Sequence, residues 1–206
     1  MKVIDLDTWK RKAHYEHFRS FKDPYFGVVI PFDMTTAYRF AKSNTLSFFG
    51  KYLHDCMKAI NDIDELKLRI ENDKIVLHDQ INASATIMRP NKTFGCSYIE
   101  FDRDLERFLV NLNAEKKRIE QSSELFPERN DLACIHCSAL PWVHFSGHKE
   151  PVSGTLESVP KLAFSKIEYQ QDGKITMNVS IHVNHALVDG YHVGLFSEKF
   201  QHYLNK

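Results

Sequence analysis

The sequence predicts an α+β fold, a mixed or antiparallel β-sheet covered by helices, and three observations carry that expectation. From Ile175 to Val183, apolar Ile175, Met177, Val179, Ile181 and Val183 alternate with polar Thr176, Asn178, Ser180 and His182, the period of a strand with one buried face. From Thr45 to Ile63, Leu46, Phe49, Leu53, Met57 and Ile60 recur every three or four positions, the period of a packed amphipathic helix. Elsewhere helical and strand patterns mix without regular strand–helix–strand alternation, which favours α+β.

The remaining elements follow in order. DLDTWKRKAHYEHFRS (5–20) opens with an Asp/Thr start signal and predicts a short helix that ends before Phe21 to Pro24. FGVVIPFDM (26–34) is a β-branched strand, after which Thr35 and Thr36 start a helix. ELKLRIENDKIVLHD (65–79) reads as two strands around the turn Glu71-Asn72-Asp73, followed by strand segments ASATIMRP and GCSYIEFD. Asp104 to Ser122 is helical, acidic at its start and basic near its end, as the helix dipole favours. LACIHCSALPWVHF (132–145) reads as an interior strand, GHKEPVSG (147–154) as a loop, and KLAFSKIEYQ as strand leading to the turn Gln171-Asp172-Gly173. After Gly190, the stripe Val193, Phe196, Phe200, Leu204 is a closing helix.

With 206 residues, 43% of them hydrophobic and 12% aromatic, the chain has the material for one domain over residues 1–206. Lysine plus arginine (27) balance aspartate plus glutamate (27) without a block of like charge, which disfavours nucleic acid or an anionic membrane as partner. The start MKVIDLDTWKRK lacks the apolar stretch of a signal peptide and no segment is apolar enough to span a bilayer, so the expected location is cytoplasmic. Cys134 and Cys137 form one CxxC without a matching second half, inside an apolar run that reads as buried strand with structural thiols.

The stretch HVNHALVDGYHVGLF (182–196), between the alternating strand and the closing helix, admits three readings. Asp189 can cap the helix that begins at Gly190. His182, His185 and His192 can converge on a metal, although their spacing matches no familiar ligand pattern. Or His185, held rigidly beyond a buried strand, can act as a general base, because an ordinary histidine with a pKa of about 6.5 is largely neutral at cell pH.

HALVDGYHV (185–193) resembles the HHAxxDGFHV signature of the chloramphenicol acetyltransferases, whose HxxxDG core also occurs in acyltransferase domains of 2-oxo acid dehydrogenase complexes. WKRKAH (9–14), NDIDELKLRI (61–70), LFP (125–127), SALPWVHF (138–145) and YQQDG (169–173) resemble the same family in order, so the likeness covers essentially the whole chain. The resemblance implies a chloramphenicol acetyltransferase-like fold and acetyl transfer from acetyl-CoA, as co-substrate, to a hydroxyl of a small-molecule acceptor, without a metal. It implies a homotrimer with active sites at subunit interfaces. By motif match, His185 is the general base and Ser138 the donor to the oxyanion. Asp189 pairs with Arg11 to fix the active-site loop, Gly190 gives the turn room, and the tautomer of His185 is set by its own backbone carbonyl. Phe18, Phe26, His136 and Ser165 fall in the substrate pocket, and Tyr169 lies near the CoA adenine.

Four positions depart from the family pattern. Asn184 replaces the first of two histidines, Ser165 a threonine, Phe18 a tyrosine that contacts chloramphenicol, and His136 an asparagine. The acetyl-transfer side is kept while the acceptor side has changed, so two alternatives accompany chloramphenicol acetylation and the resistance it confers: the same transfer to another hydroxylated molecule, or a non-catalytic binder of hydrophobic ligands.

Overall fold

Alternation over Ile175–Asn184 gives the longest described strand, and the main sheet is built around it. The computed structural model describes residues 1–153 and 157–206; the final residue of the predicted loop 147–154 lies outside them. In chain order the described elements are β1 (Lys2–Val3), α1 (Lys12–Phe18), β2 (Tyr25–Asp33), α2 (Thr35–Ser43), α3 (Phe48–Asn61), a 3-10 turn (Asp64–Lys67), β3 (Leu68–Glu71) and β4 (Lys74–Leu77). There follow β5 (Asn82–Met88), β6 (Phe94–Cys96), α4 (Leu105–Glu120), β7 (Cys134–Ala139), β8 (Lys161–Phe164), β9 (Glu168–Tyr169), β10 (Ile175–Asn184) and α5 (Gly190–Leu204).

The main sheet has the order β2-β10-β8-β7-β5-β6, with β9 beside the start of β10. The pairs β5–β7 and β7–β8 are parallel and the others antiparallel, so the sheet is mixed. β1, β4 and β3 form a smaller sheet. Its hairpin turns through Asn72 (φ 50°) and Asp73 (φ 61°), two consecutive left-handed residues whose twist suits a tight antiparallel connection. Helices cover one face of the main sheet: Ile175, Met177, Val179, Ile181 and Val183 share one buried cluster with Leu53, Met57 and Ile60 of α3 and Phe196, Phe200 and Leu204 of α5. The α+β architecture with a helix-covered mixed sheet is therefore as the sequence predicts.

β2 forms one edge of this sheet and contains Pro31. Pro31 faces Asn178, whose backbone carbonyl and amide are directed at Ser165 on the far side of β10. The proline nitrogen therefore points outward, where its missing N–H costs no ladder bond.

Several local expectations need correction. The first helix starts at Lys12; Asp5 instead accepts from the Asp7 N–H (3.0 Å) and the Thr8 hydroxyl (3.1 Å), so the start signal is spent on a turn ahead of the helix. GCSYIEFD is strand only to Cys96. The strand expected over 132–145 covers Cys134–Ala139 alone, because Pro141 breaks the ladder and leaves Trp142 65% exposed. α3 is enclosed nearly all round: Lys51 and Asp55 pair inside the protein, and the His54 Nε2 meets the carbonyls of Asp102 and Arg103 at 3.1 Å each. The polar face of β10 is buried too, with Ser180 at 0%, His182 at 8% and Asn184 at 1% exposure, because the connection between β7 and β8 lies across it.

One buried cation ties the two sheets together. Arg69 of β3, fully buried, donates to the carbonyls of Leu66 (3.0 Å), Leu68 (2.7 Å), Leu132 (2.7 Å) and Cys134 (2.5 Å). Burial pushes its pKa down to about 10, so it stays charged at neutral pH, satisfied by carbonyl dipoles rather than a carboxylate.

Candidate active site

Between β10 and α5 the chain makes a four-residue turn. The Leu187 and Val188 N–H groups both donate to the Asn184 carbonyl at 3.0 Å, and the His185 N–H donates to the Pro24 carbonyl at 2.9 Å. The turn folds the His185 ring back so that its Nδ1 lies 3.2 Å from the Val188 carbonyl. A carbonyl only accepts, so Nδ1 carries the proton and Nε2 keeps a free lone pair. This corrects the expected contact with the residue's own carbonyl, which instead faces Arg11 Nη2 at 3.5 Å.

The His185 ring stacks on Phe18, with centroids 4.0 Å apart and planes 9° from parallel, and Phe26 tilts against it at 4.7 Å. One face of Phe18 is thereby occupied by histidine.

Asp189 accepts from Arg11 Nη1 and, as the cap of α5, from the Tyr191 N–H at 3.1 Å; capping and ion pairing coexist in one carboxylate. Burial pushes the Asp189 pKa up, but the hydrogen bond and charge of Arg11 and the Tyr191 N–H together hold it below the usual carboxylate value. His192 completes the cap by accepting from the Asp189 N–H at 3.1 Å, which turns its other nitrogen to Glu65 at 3.5 Å. That hydrogen bond leads the causes that lower the Glu65 pKa.

Gly190 departs from expectation. Its φ is not left-handed and a Cβ there would meet nothing within 4 Å, so neither backbone nor space in one chain demands glycine. The three histidines do not converge either. His182 lies on the opposite face of β10 with Ser180 at 3.0 Å and the His148 carbonyl at 3.2 Å. Among the described residues no group of three or more His, Cys, Asp or Glu is placed to hold a metal. Cys134 and Cys137 are free and buried; burial pushes the Cys134 thiol to about 11 and the Cys137 thiol up further.

The other predicted residues sit elsewhere. Ser138, half-buried near the end of β7, makes no side-chain hydrogen bond among the described residues. His136, two positions earlier on the same sheet face, is exposed beside a cavity of about 390 Å³. Ser165, Tyr169 and Ala139, the neighbour of Ser138, line a larger cleft of about 830 Å³ with Phe48, Phe49, Tyr52, Phe164 and Met177. The Ser165 hydroxyl is engaged by the Lys166 carbonyl (2.9 Å) and the Asn178 N–H (3.0 Å). Tyr169 is 69% exposed at the cleft and donates to or accepts from the Tyr38 hydroxyl at 3.0 Å.

Strand register measures the gap between the two groups. Ser138 is level with Ala163, and Ala163 with Ser180, two strands across and five residues before His185. At about 3.3 Å per residue and about 4.8 Å per strand, His185 and Ser138 of one chain lie roughly 15–20 Å apart.

The sequence matches the family model "CAT: Chloramphenicol acetyltransferase" over residues 1–201. The chain belongs to the chloramphenicol acetyltransferase family. Chloramphenicol acetyltransferase 3 of Escherichia coli is 27% identical, over 98% of this chain and 96% of its own length. Chloramphenicol acetyltransferase of Proteus mirabilis is 26% identical, over 99% and 94%. A solved chloramphenicol acetyltransferase superposes with a TM-score of 0.84 at 27% identity, covering 98% of this chain and 99% of its own. The cubic core of a pyruvate dehydrogenase multienzyme complex superposes at 0.72 with 15% identity, covering 100% and 91%, a likeness of fold alone. Chloramphenicol acetyltransferases use acetyl-CoA as co-substrate. No described helix is long and apolar enough to cross a membrane.

Sequence reasoning missed three participants in this family site. The Val188 and Pro24 carbonyls hold His185 through backbone atoms, which leave no mark in residue identity. His192 was a candidate metal ligand, whereas its spacing of three from Asp189 is that of a capping box.

Proposed function

We propose that the chain transfers the acetyl group of acetyl-CoA to a hydroxyl of chloramphenicol, as one domain assembled into a homotrimer in the cytoplasm. The observation that carries the reaction is the His185 ring, pinned through Nδ1–H to Val188 with Nε2 free. In this reading Nε2 removes the acceptor hydroxyl proton as that oxygen attacks the thioester carbonyl. The tetrahedral oxyanion receives the Ser138 hydroxyl. Collapse breaks the carbon–sulfur bond, and the imidazolium returns its proton to the departing CoA thiolate. Such proton transfer contributes about a hundred- to ten-thousandfold in rate. Arg11 and Asp189 act by holding the turn, not by touching substrate.

The separation of roughly 15–20 Å supports a site shared between chains, because base and oxyanion donor must both lie about 3 Å from the reacting atoms. His185 of one chain then works with Ser138 of a neighbour, and acetyl-CoA enters along the 830 Å³ cleft that passes Ala139 and Tyr169.

A second acceptor is favoured by one observation: Phe18 has no hydroxyl and spends a ring face on His185, so its polar contact to chloramphenicol is absent. The test is thiol release from acetyl-CoA with and without chloramphenicol, for wild type and His185→Ala. Chloramphenicol-dependent release lost in the variant supports the reading. Release only with other hydroxyl compounds moves the acceptor; release with none overturns the enzyme reading.

A further inference from the structure

The polar residues of β10 act as a row of ties. Asn178, Ser180, His182 and Asn184 share one face of the strand, and each bonds the connection between β7 and β8. Asn178 Nδ2 donates to the Phe145 carbonyl (2.9 Å), and the Ser180 hydroxyl meets His148 Nδ1 (3.2 Å). His182 Nε2 donates to the His148 carbonyl (3.2 Å), and Asn184 Nδ2 to the Glu157 carbonyl (2.7 Å). Asn184 alone in this row also reaches the turn that carries His185. Its Oδ1 accepts from the Ala186 N–H at 2.9 Å and its carbonyl accepts from Leu187 and Val188. Val188 is the residue whose own carbonyl fixes the His185 ring. At 1% exposure the Asn184 amide has no water to fall back on, so both halves of the amide are committed.

We infer that Asn184 is a positioning residue for His185: its amide clamps the turn from one side and the connection at Glu157 from the other, and so fixes the ring with Nε2 free. The inference rests on His185 being the base. An apolar side chain here frees the Ala186 N–H and lets the turn relax, and a shift of about 1 Å in a reacting group costs roughly a hundredfold in rate.

The test uses full-length protein labelled with ¹⁵N-histidine, as wild type, Asn184→Leu and Asn184→Ser. The serine hydroxyl can still cap the turn but is too short for Glu157. The ¹⁵N resonances of His185, assigned by their loss in His185→Ala, report which ring nitrogen carries the proton. Wild type is expected to show protonated Nδ1. Asn184→Leu is expected to show a tautomer mixture and a fall of roughly a hundredfold in kcat, with KM for acetyl-CoA held within about twofold. Asn184→Ser should recover most of the resonance and of kcat. If kcat falls while the His185 resonances stay as in wild type, or if the resonances move without loss of kcat, the inference is overturned. If Asn184→Leu does not fold, folded Asn184→Ser decides: kcat lost with the His185 resonances as in wild type, or resonances moved without loss of kcat, overturns the inference. If wild type turns over no acceptor, the enzyme reading fails and the resonances alone decide the role of Asn184.

Discussion

Replacing Asp189 by alanine removes the partner of Arg11 and the cap of α5 together. Breaking one side of a buried pair costs about 3–5 kcal/mol, but the Asp189 side chain is 30% exposed against 12% for Arg11, so water compensates in part and about 2–3 kcal/mol is expected. The lost cap adds about 1 kcal/mol. For a chain of this size, where each kcal/mol moves Tm by about 2–4 °C, the sum of about 3–4 kcal/mol lowers Tm by about 6–16 °C. Asp189→Asn keeps an oxygen for the Tyr191 N–H and should recover the cap's share. The carboxylate is held below its usual pKa, so its contribution is complete above the unfolded value of about 3.9 and disappears as pH falls through the folded one. The stability gap between wild type and Asp189→Asn, from urea unfolding monitored by circular dichroism, is therefore constant near neutrality and shrinks below about pH 4. A Tm within about 2 °C of wild type for Asp189→Ala, or strict additivity with Arg11→Leu in a double-mutant cycle, would refute the reasoning.

Other outcomes follow from the same structure. Ser138→Ala should lower kcat by roughly a hundred- to a thousandfold while Tm stays put, since the hydroxyl has no bond within the described chain to lose; steady-state kinetics and a melting curve check both. Co-expressed His185→Ala and Ser138→Ala chains should regain activity that neither has alone if sites are shared between copies, and mixed oligomers as inactive as the parents would count against sharing. Arg69→Met strands the buried carbonyls of Leu66, Leu68 and Cys134 at about 1–3 kcal/mol each, besides the part-buried one of Leu132, and should leave little folded protein, judged by circular dichroism. Burial pushes all four thiols up, but Cys56, Cys134 and Cys137 are enclosed while Cys96 is half-buried, so a thiol reagent should modify Cys96 first in native protein; prior reaction at Cys137 would contradict the packing.

Period-two and period-3.6 patterns placed β10, α3 and α5 directly, because a side chain's burial there follows from local geometry. What period could not tell was how deep an element lies. Lys51 and Asp55 fall outside the apolar stripe of α3 and His182 on the polar side of β10, yet all three are buried, since each finds its partner at close sequence range or across the connection at His148. The site divides in the same way. The Arg11–Asp189 pair was legible because both partners are side chains, which motif matching compares. The Val188 carbonyl, the open space around Gly190 and the distance between His185 and Ser138 depend on backbone path and strand order, which residue identity does not record.

Pro31 bears on how far copies of this chain can aggregate. An exposed sheet edge is a template onto which another strand can dock, copy after copy, without limit. At β2 the outward row of hydrogen-bond donors is interrupted in its second half by a residue that has none to offer. A strand arriving at that edge would find no donor at Pro31, which weakens pairing there and makes β2 a poorer template for a further strand. The proline at β2 therefore works against open-ended growth by sheet extension at this edge.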